Sequence, residues 1–508
     1  MKQSRTANST KNIKYSIIST IISYTLSFAT RTIFIYYLTT EFLGMNALIT
    51  SVLSILSLVE AGLGGTFQVM LFKPLSEDNY SRVLGIVHIF RKIFRIIAVV
   101  TFLGGMAFLP IINLIIEISN FKLFSIIYLF AILGSSINYI VLPDRVLIQA
   151  DQKKYVIIAI DQIGVILQYT IQILILILTQ NFILYSLAQF ISIVITAILK
   201  RCYSSKNYKS DSIEKLDDET KKDIKVKTYA GFMHHLGFIV NNGTDSIFIS
   251  AFIGLDVAGI YSNYLLILNV IKSLLLLIFD SIYSSLGNKI STDSVDDNFI
   301  LYKKTDYIGK IIVGFSAVAF FILLNPFVIL WIGIDYTFPL FTMFLIVWVF
   351  YVDYNTSRKT INMFKKSTGL FEKDKYISLI EAAINIIITL ILVKPLGING
   401  ILIGRIASYY LTVFWTEPLL VFKYYFNKDL TKYFFAELRN LLKISITGTI
   451  LYFLVQSISL EGIVGFIIKV AIVGIIGLGL IILPTIRTKE FKFYKNEFKR
   501  LVFKKKFK

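Results

Sequence analysis

The sequence predicts an all-α polytopic membrane protein with about fourteen transmembrane helices. They are expected as two pseudo-twofold-related six-helix bundles around a central cleft, plus two C-terminal helices. Three observations lead there. The 508 residues are 56% hydrophobic and 17% charged, with a mean hydropathy of +0.71, whereas soluble domains carry about 25% charged residues. The apolar runs reach about 20 residues, the length of a membrane-crossing helix and twice that of the alternating strands of a barrel. Lys and Arg gather on one side of those runs. The same figures exclude a soluble fold and a disordered chain. With 8 Pro and 28 Gly the chain is not fibrous or linker-rich either.

Fourteen runs are long enough to span: 15–38, 42–65, 84–109, 121–142, 155–178, 182–200, 228–253, 257–284, 308–333, 338–356, 376–394, 398–422, 441–459 and 463–486. A helix is the element expected for each, because lipid offers the backbone no hydrogen-bond partner. The third carries Arg91, Lys92 and Arg95, so its start is expected at the membrane surface. The polar stretch Met1 to Lys14 precedes the first run without an Ala-x-Ala site, which reads as a retained helix and not a signal peptide.

With the N-terminus placed inside, 43 of the 52 Lys and Arg fall in the cytosolic segments or at their helix ends. Lys122 and Lys394 fall outside, and Arg31, Arg91, Lys92, Arg95, Lys272, Arg405 and Lys469 within spans. The net charge of +20 is therefore topogenic: it faces the inner leaflet of the cell membrane, with both termini cytosolic, and implies no nucleic-acid partner. The tail 487–508 is expected to anchor at anionic inner-leaflet lipid. The single cysteine, Cys202, permits no intramolecular disulfide, and its basic loop places it in the reducing cytosol.

The longest cytosolic loop divides the chain. The expected organisation is a six-helix lobe over 1–200, a basic linker over 201–227 and a second six-helix lobe over 228–425. An amphipathic linker and two extra helices fill 426–486, and a basic tail fills 487–508. An internal repeat supports this. Thr30-Arg31-Thr32-Ile33-Phe34-Ile35 matches Thr244-Asp245-Ser246-Ile247-Phe248-Ile249 at four of six positions. Each block is followed by a glycine opening the next helix, in Glu41-Phe42-Leu43-Gly44 and Asp256-Val257-Ala258-Gly259. Six helices per half make the repeat parallel, related by an axis along the membrane normal.

No phosphate-binding loop, His-Glu-x-x-His or cysteine pair is present. No enzyme chemistry, cofactor or metal is expected. The informative residues are charges within spans, each costing about 2.5–3.5 kcal/mol at a helix centre on insertion scales. On the first helix Ser16, Thr20, Ser23, Ser27 and Arg31 share a face. On the fifth, Asp161, Gly164, Gln168 and Gln172 do. On the seventh, His235, Asn242 and Asp245 do, with His234 adjacent. Arg31 and Asp245 are repeat mates of opposite charge. They are expected to line the cavity and to pair when the cleft closes; a permanent ion pair is the structural alternative. Arg31, Lys272 and Arg405 favour an anionic substrate group. Asp161, His234 and His235 are candidates for ion or proton coupling, against a purely structural role. Glu60, Asp280, Asp353, Glu381 and Glu417 lie near cytosolic ends and read as interfacial charges paired with Lys or Arg.

These residues resemble a known family. The chain is similar to bacterial polysaccharide repeat-unit flippases of the Wzx type, within the multidrug/oligosaccharidyl-lipid/polysaccharide exporter (MOP) superfamily. The resemblance covers about residues 10 to 425. It rests on Arg31-Thr-Ile-Phe-Ile-Tyr-Tyr-Leu38, Glu41-Phe-Leu-Gly-Met-Asn46, Leu56-Ser-Leu-Val-Glu-Ala-Gly-Leu-Gly64 and Leu71-Phe-Lys-Pro-Leu75. In the second half it rests on Thr244-Asp245, Gly259-Ile-Tyr-Ser-Asn-Tyr264, Ser285-Leu-Gly-Asn288 and Gly397-Ile-Asn-Gly400. It implies a substrate, an oligosaccharide on undecaprenyl pyrophosphate, moved to the outer leaflet by alternating access. It also implies a polymerase and a chain-length regulator as partners. Arg31 falls on the family's basic position. Arg405, in Gly404-Arg-Ile-Ala-Ser408, departs from the small polar residue expected there: a substrate contact or a local ion pair. A peptidoglycan-precursor flippase or cation-coupled drug exporter, and a scaffold or transferase of glycan assembly, are the alternatives. The first would bring several arginines in the first two helices, where only Arg31 stands. The exporter would bring an acidic cavity.

Overall fold

The computed structural model describes residues 5–57, 63–210, 212–214, 244–354, 356–374, 376–458 and 460–504. Those residues are predominantly helical and include no strand. The protein is an all-α polytopic membrane protein. Among the described residues 11 helices are long and apolar enough to cross a membrane.

The expected fourteen differ from these 11 at three places. The run 42–65 is shorter than read: the helix closes at Leu56, and a separate helix occupies Leu63–Ser76. The run 228–253 lies mostly outside the described residues. The run 398–422 breaks at Thr412, whose backbone leaves the helical region (φ −127°, ψ −86°). The third run starts earlier than expected, at Tyr80, and continues unbroken to Ile115.

Contacts divide the chain into two compact units, Met1–Ser262 and Asn263–Lys508. The first holds α1 (Arg5–Tyr37), α2 (Thr40–Leu56), α3 (Leu63–Ser76), α4 (Tyr80–Ile115), α5 (Phe121–Ala150), α6 (Lys154–Thr179), α7 (Phe182–Asn207), α8 (Asp245–Phe252) and the start of α9 (Leu255–Thr292). Side chains set the helix starts. Asn79, Asn120 and Asn181 accept hydrogen bonds from Arg82 N, Leu123 N, and Ile183 N with Leu184 N. Each satisfies a backbone donor that the helix itself leaves open. Helix α6 packs on α1 and α7, and α5 on α4 and α7. One core gathers Phe67, Phe90, Phe94 and Leu147; the other gathers Phe34, Leu48, Phe124, Tyr128 and Tyr185.

Two glycines cross closely in this unit. A Cβ on Gly44 would lie 1.9 Å from the Leu255 carbonyl oxygen, and one on Gly259 would lie 2.3 Å from that of Thr40. Each partner stands four residues before the other glycine, so α2 and α9 make one contact twice from the same pair of positions. That is the pattern of a local twofold axis. The Thr40 hydroxyl donates to the Asp256 carboxylate beside it.

The second unit continues α9. It adds α10 (Val295–Ile332), α11 (Leu340–Tyr354), α12 (Thr356–Ser367), α13 (Ile377–Leu396), α14 (Ile398–Leu411), α15 (Val413–Val421), α16 (Leu430–Gln456), α17 (Gly462–Thr485) and α18 (Lys489–Lys504). Its cores are aromatic around Tyr302, Phe364, Phe422 and Phe426, and aliphatic around Val318, Leu451 and Ile481.

Candidate functional site

On α1, Arg31 is half-buried. Its Nη1 donates to Ser262 Oγ at 3.0 Å, and that hydroxyl donates on to the Gly259 carbonyl at 2.7 Å. The arginine is thus tied to the glycine crossing. Tyr169 and Tyr185 are its electrostatic neighbours. Phe34, three residues on, meets the Tyr185 ring at 5.1 Å. Gln172 is fully buried and donates to the Tyr185 carbonyl at 3.2 Å; Gln168 donates to Gln172 Oε1 at 3.4 Å. Arg31, Gln172 and Gln168 therefore share one neighbourhood, with Tyr185 as the link.

Asp245 opens α8 and is buried. Lys272 sits half-buried on α9. His234, His235 and Asn242 lie outside the described residues, as does Glu60.

Asp161 ion-pairs with Lys200 at 2.6 Å. Lys200 is 4% exposed, although the sequence reads it as the start of a loop. The signal was present: Ser192, Thr196 and Lys200 recur at spacing four on α7, one face of a helix. The polar face of α6 packs there. Ser192 Oγ donates to the Gly164 carbonyl at 2.8 Å, and a Cβ on Gly164 would lie 2.3 Å from Thr196 Cγ2. The polar face of α1 meets α6 through a residue sequence reading did not single out. Ser19 and Ser23 both donate to Gln162 Oε1, at 2.6 and 3.2 Å. A cavity of about 370 Å³ opens among α5, α6 and α7, lined by Asn138, Arg145, Asp161, Gln168 and Lys200 among others.

Several charges elsewhere are paired. Arg91 meets the buried Asp144 at 2.5 Å, and Arg201 meets the same carboxylate at 2.9 Å. In the second unit Arg405 pairs with Asp353 at 2.8 Å. Arg358 reaches Glu381 at 3.2 Å and Glu417 at 3.8 Å, and lies over the Tyr409 ring. Lys365 bridges Asp374 and Glu417, at 2.6 and 2.8 Å. Lys310 joins Asp306 and Glu437. Just past α7, outside the span, burial and then the Asp151 carboxylate raise the Tyr208 phenol far above its ordinary range, so it stays a donor to Asp151 at 2.8 Å. Among the described residues, no cluster of His, Cys, Asp and Glu could hold a metal ion.

No family profile matches the chain, and no curated protein sequence does. Solved structures do. The lipid II flippase MurJ, in an inward closed conformation, superposes with a TM-score of 0.68 at 13% identity, covering 93% of this chain and 99% of that one. An inward-facing multidrug resistance MATE family transporter of the MOP superfamily gives 0.61 at 16% identity, covering 78% and 94%. A variant of the Vibrio cholerae MATE transporter VcmN gives 0.57 at 11% identity, covering 84% and 99%. This chain therefore has the polytopic membrane fold seen in MATE transporters and MurJ.

Proposed function

We propose that this protein is a flippase for an undecaprenyl-pyrophosphate-linked oligosaccharide repeat unit. It moves the unit from the inner to the outer leaflet of the cytoplasmic membrane by alternating access, for surface polysaccharide. The observation that carries the reading is the fold shared with MurJ across nearly the whole of both chains. That protein is named as a flippase of lipid II, and an oligosaccharide on polyprenyl pyrophosphate is likewise a lipid to be moved between leaflets. Arg31 supplies the matching chemistry. A guanidinium offers a planar pair of donors to a pyrophosphate, and a half-buried one exerts a stronger field than one in water. Lys272, Asp245, Gln168 and Gln172 complete the candidate substrate set. Asp161, paired with Lys200, is the candidate for ion or proton coupling that the structure describes. The polymerase and chain-length regulator are the partners this reading brings with it.

A second reading is a peptidoglycan-precursor flippase, favoured by the MurJ likeness, or a cation-coupled drug exporter, favoured by the MATE likeness. One experiment separates them. The gene is deleted in its host, and lipid-linked oligosaccharide is quantified in membranes, with leaflet accessibility read by an impermeant sugar-modifying reagent. The flippase reading expects inner-leaflet accumulation and loss of surface polymer, both restored by the wild-type gene and not by Arg31→Ala. Unchanged glycan and lipid would overturn it in favour of the second reading. Failure to form the repeat unit at all would point to an earlier, transferase-like step.

A further inference from the structure

We propose that the slot among α5, α6 and α7 binds one anionic glycerophospholipid, with its phosphate on Arg145 and its ester carbonyls on the amides of Asn138 and Gln168. The slot is about 370 Å³, within the range of small-molecule sites. It lies entirely within the first unit and shares Gln168 and Asp161 with the candidate transport residues.

The charge balance comes first. Asp161 and Lys200 neutralise one another at 2.6 Å. Arg145 lines the same slot, is exposed, and makes no ion pair with a described residue. Next to it on α5, Asp144 is shared by Arg91 and Arg201. That places two cations on one carboxylate, with Arg91 Nε buried and unmatched among the described residues. Within the slot Arg145 and Lys200 stand against Asp161, and behind it Arg91 and Arg201 stand against Asp144, so each group holds one positive charge in excess. In a bilayer such an excess calls for an anion.

The order of groups along the slot selects the anion. Arg145 stands five residues before the end of α5 at Ala150, about 8 Å of helix rise. Asn138 is seven residues deeper on α5, and Gln168 lies near the middle of α6. Val141, Leu142, Val165 and Ile193 supply the apolar wall. Passing inward, the slot offers a cation, then neutral amide donors, among aliphatic carbon. A phospholipid presents its complement in the same order: phosphate, ester carbonyls, acyl chains. A soluble phosphate ester satisfies only the first. The helices forming the slot also expose Ile140, Ile163, Ile166 and Ile198, as surfaces in contact with lipid do.

The test uses purified full-length protein in detergent, with bound lipid counted by native mass spectrometry. Phosphatidylglycerol is expected to be retained at about one per chain and preferred to phosphatidylcholine. Arg145→Gln should weaken its retention about tenfold, equivalent to about 1.4 kcal/mol. Gln168→Leu should leave the headgroup preference and narrow the difference between ester- and ether-linked phosphatidylglycerol. Glycerol 3-phosphate, added in excess, should not displace the lipid. Equal retention by wild type and Arg145→Gln overturns the proposal, as does equal retention of phosphatidylcholine. Displacement by glycerol 3-phosphate overturns the lipid in favour of a soluble phosphate ester.

Discussion

Lys365 is buried between two carboxylates, Asp374 and Glu417, the second of which Arg358 and Asn362 also approach, at 3.8 and 3.0 Å. Removing the cation leaves both acids desolvated. Lys365→Met is expected to cost about 3–5 kcal/mol, the usual penalty for breaking a buried pair, read as a lower melting temperature in detergent. Lys365→Met with Glu417→Gln should recover part of that loss. At Arg31 and Asp245 the expectation concerns transport. Charge reversal at either should abolish it, and the double reversal should restore some; no restoration would dismiss direct pairing of the repeat mates. Sequence made these charges visible but not their partners. Arg405 read as a substrate contact or a local ion pair, and its partner Asp353 stands 52 positions earlier on another helix. Arg91 looked too costly to place inside a span, because nothing local marks Asp144, 53 positions on, as its counter-ion. A hydropathy window adds up costs along the chain; ion pairs cancel them across it.

Helix contacts in the first unit depend on a few small residues. Gly164 lets α7 approach α6, and the atom most in the way of any larger residue is one methyl, Thr196 Cγ2 at 2.3 Å, with Ser192 Oγ next at 3.1 Å. Gly164→Ala is therefore expected to destabilise by about 1–3 kcal/mol, as overpacking does. Thr196→Ser removes that methyl and should rescue most of the loss in the double variant, a coupling a double-mutant cycle would measure. At the α2–α9 crossing the obstacle is backbone carbonyl on both sides. Gly44→Ala and Gly259→Ala should each impair folding or transport, with no single side-chain change able to rescue either. Helices with long apolar runs were legible, because lipid leaves the backbone no other choice. Their breaks were not. Residues 56–63 stay mostly apolar despite Ser57 and Glu60, so hydropathy joined α2 to the start of α3, and Thr412 carries no signal that the backbone turns there.

Orientation is a property of the whole chain, and one atom can report it. Cys202 is the single cysteine of the sequence and is exposed. An impermeant thiol reagent should label it in inside-out vesicles and leave it unlabelled in intact cells. Labelling of intact cells would invert the topology and with it the direction assigned to transport. The expectation rests on the surplus of Lys and Arg, a signal that follows the side of the membrane and needs no tertiary detail.

The doubled crossing at Gly44 and Gly259 bears on ancestry. Two copies of a half-length chain meeting about a twofold axis make one such contact at each end of a shared seam. If this gene arose by doubling, the seam predates the fusion, and joining the copies required only a linker. The two glycines then carry the trace of a former homodimer. A half-length chain expressed alone should still seek a second copy of itself through residue 44.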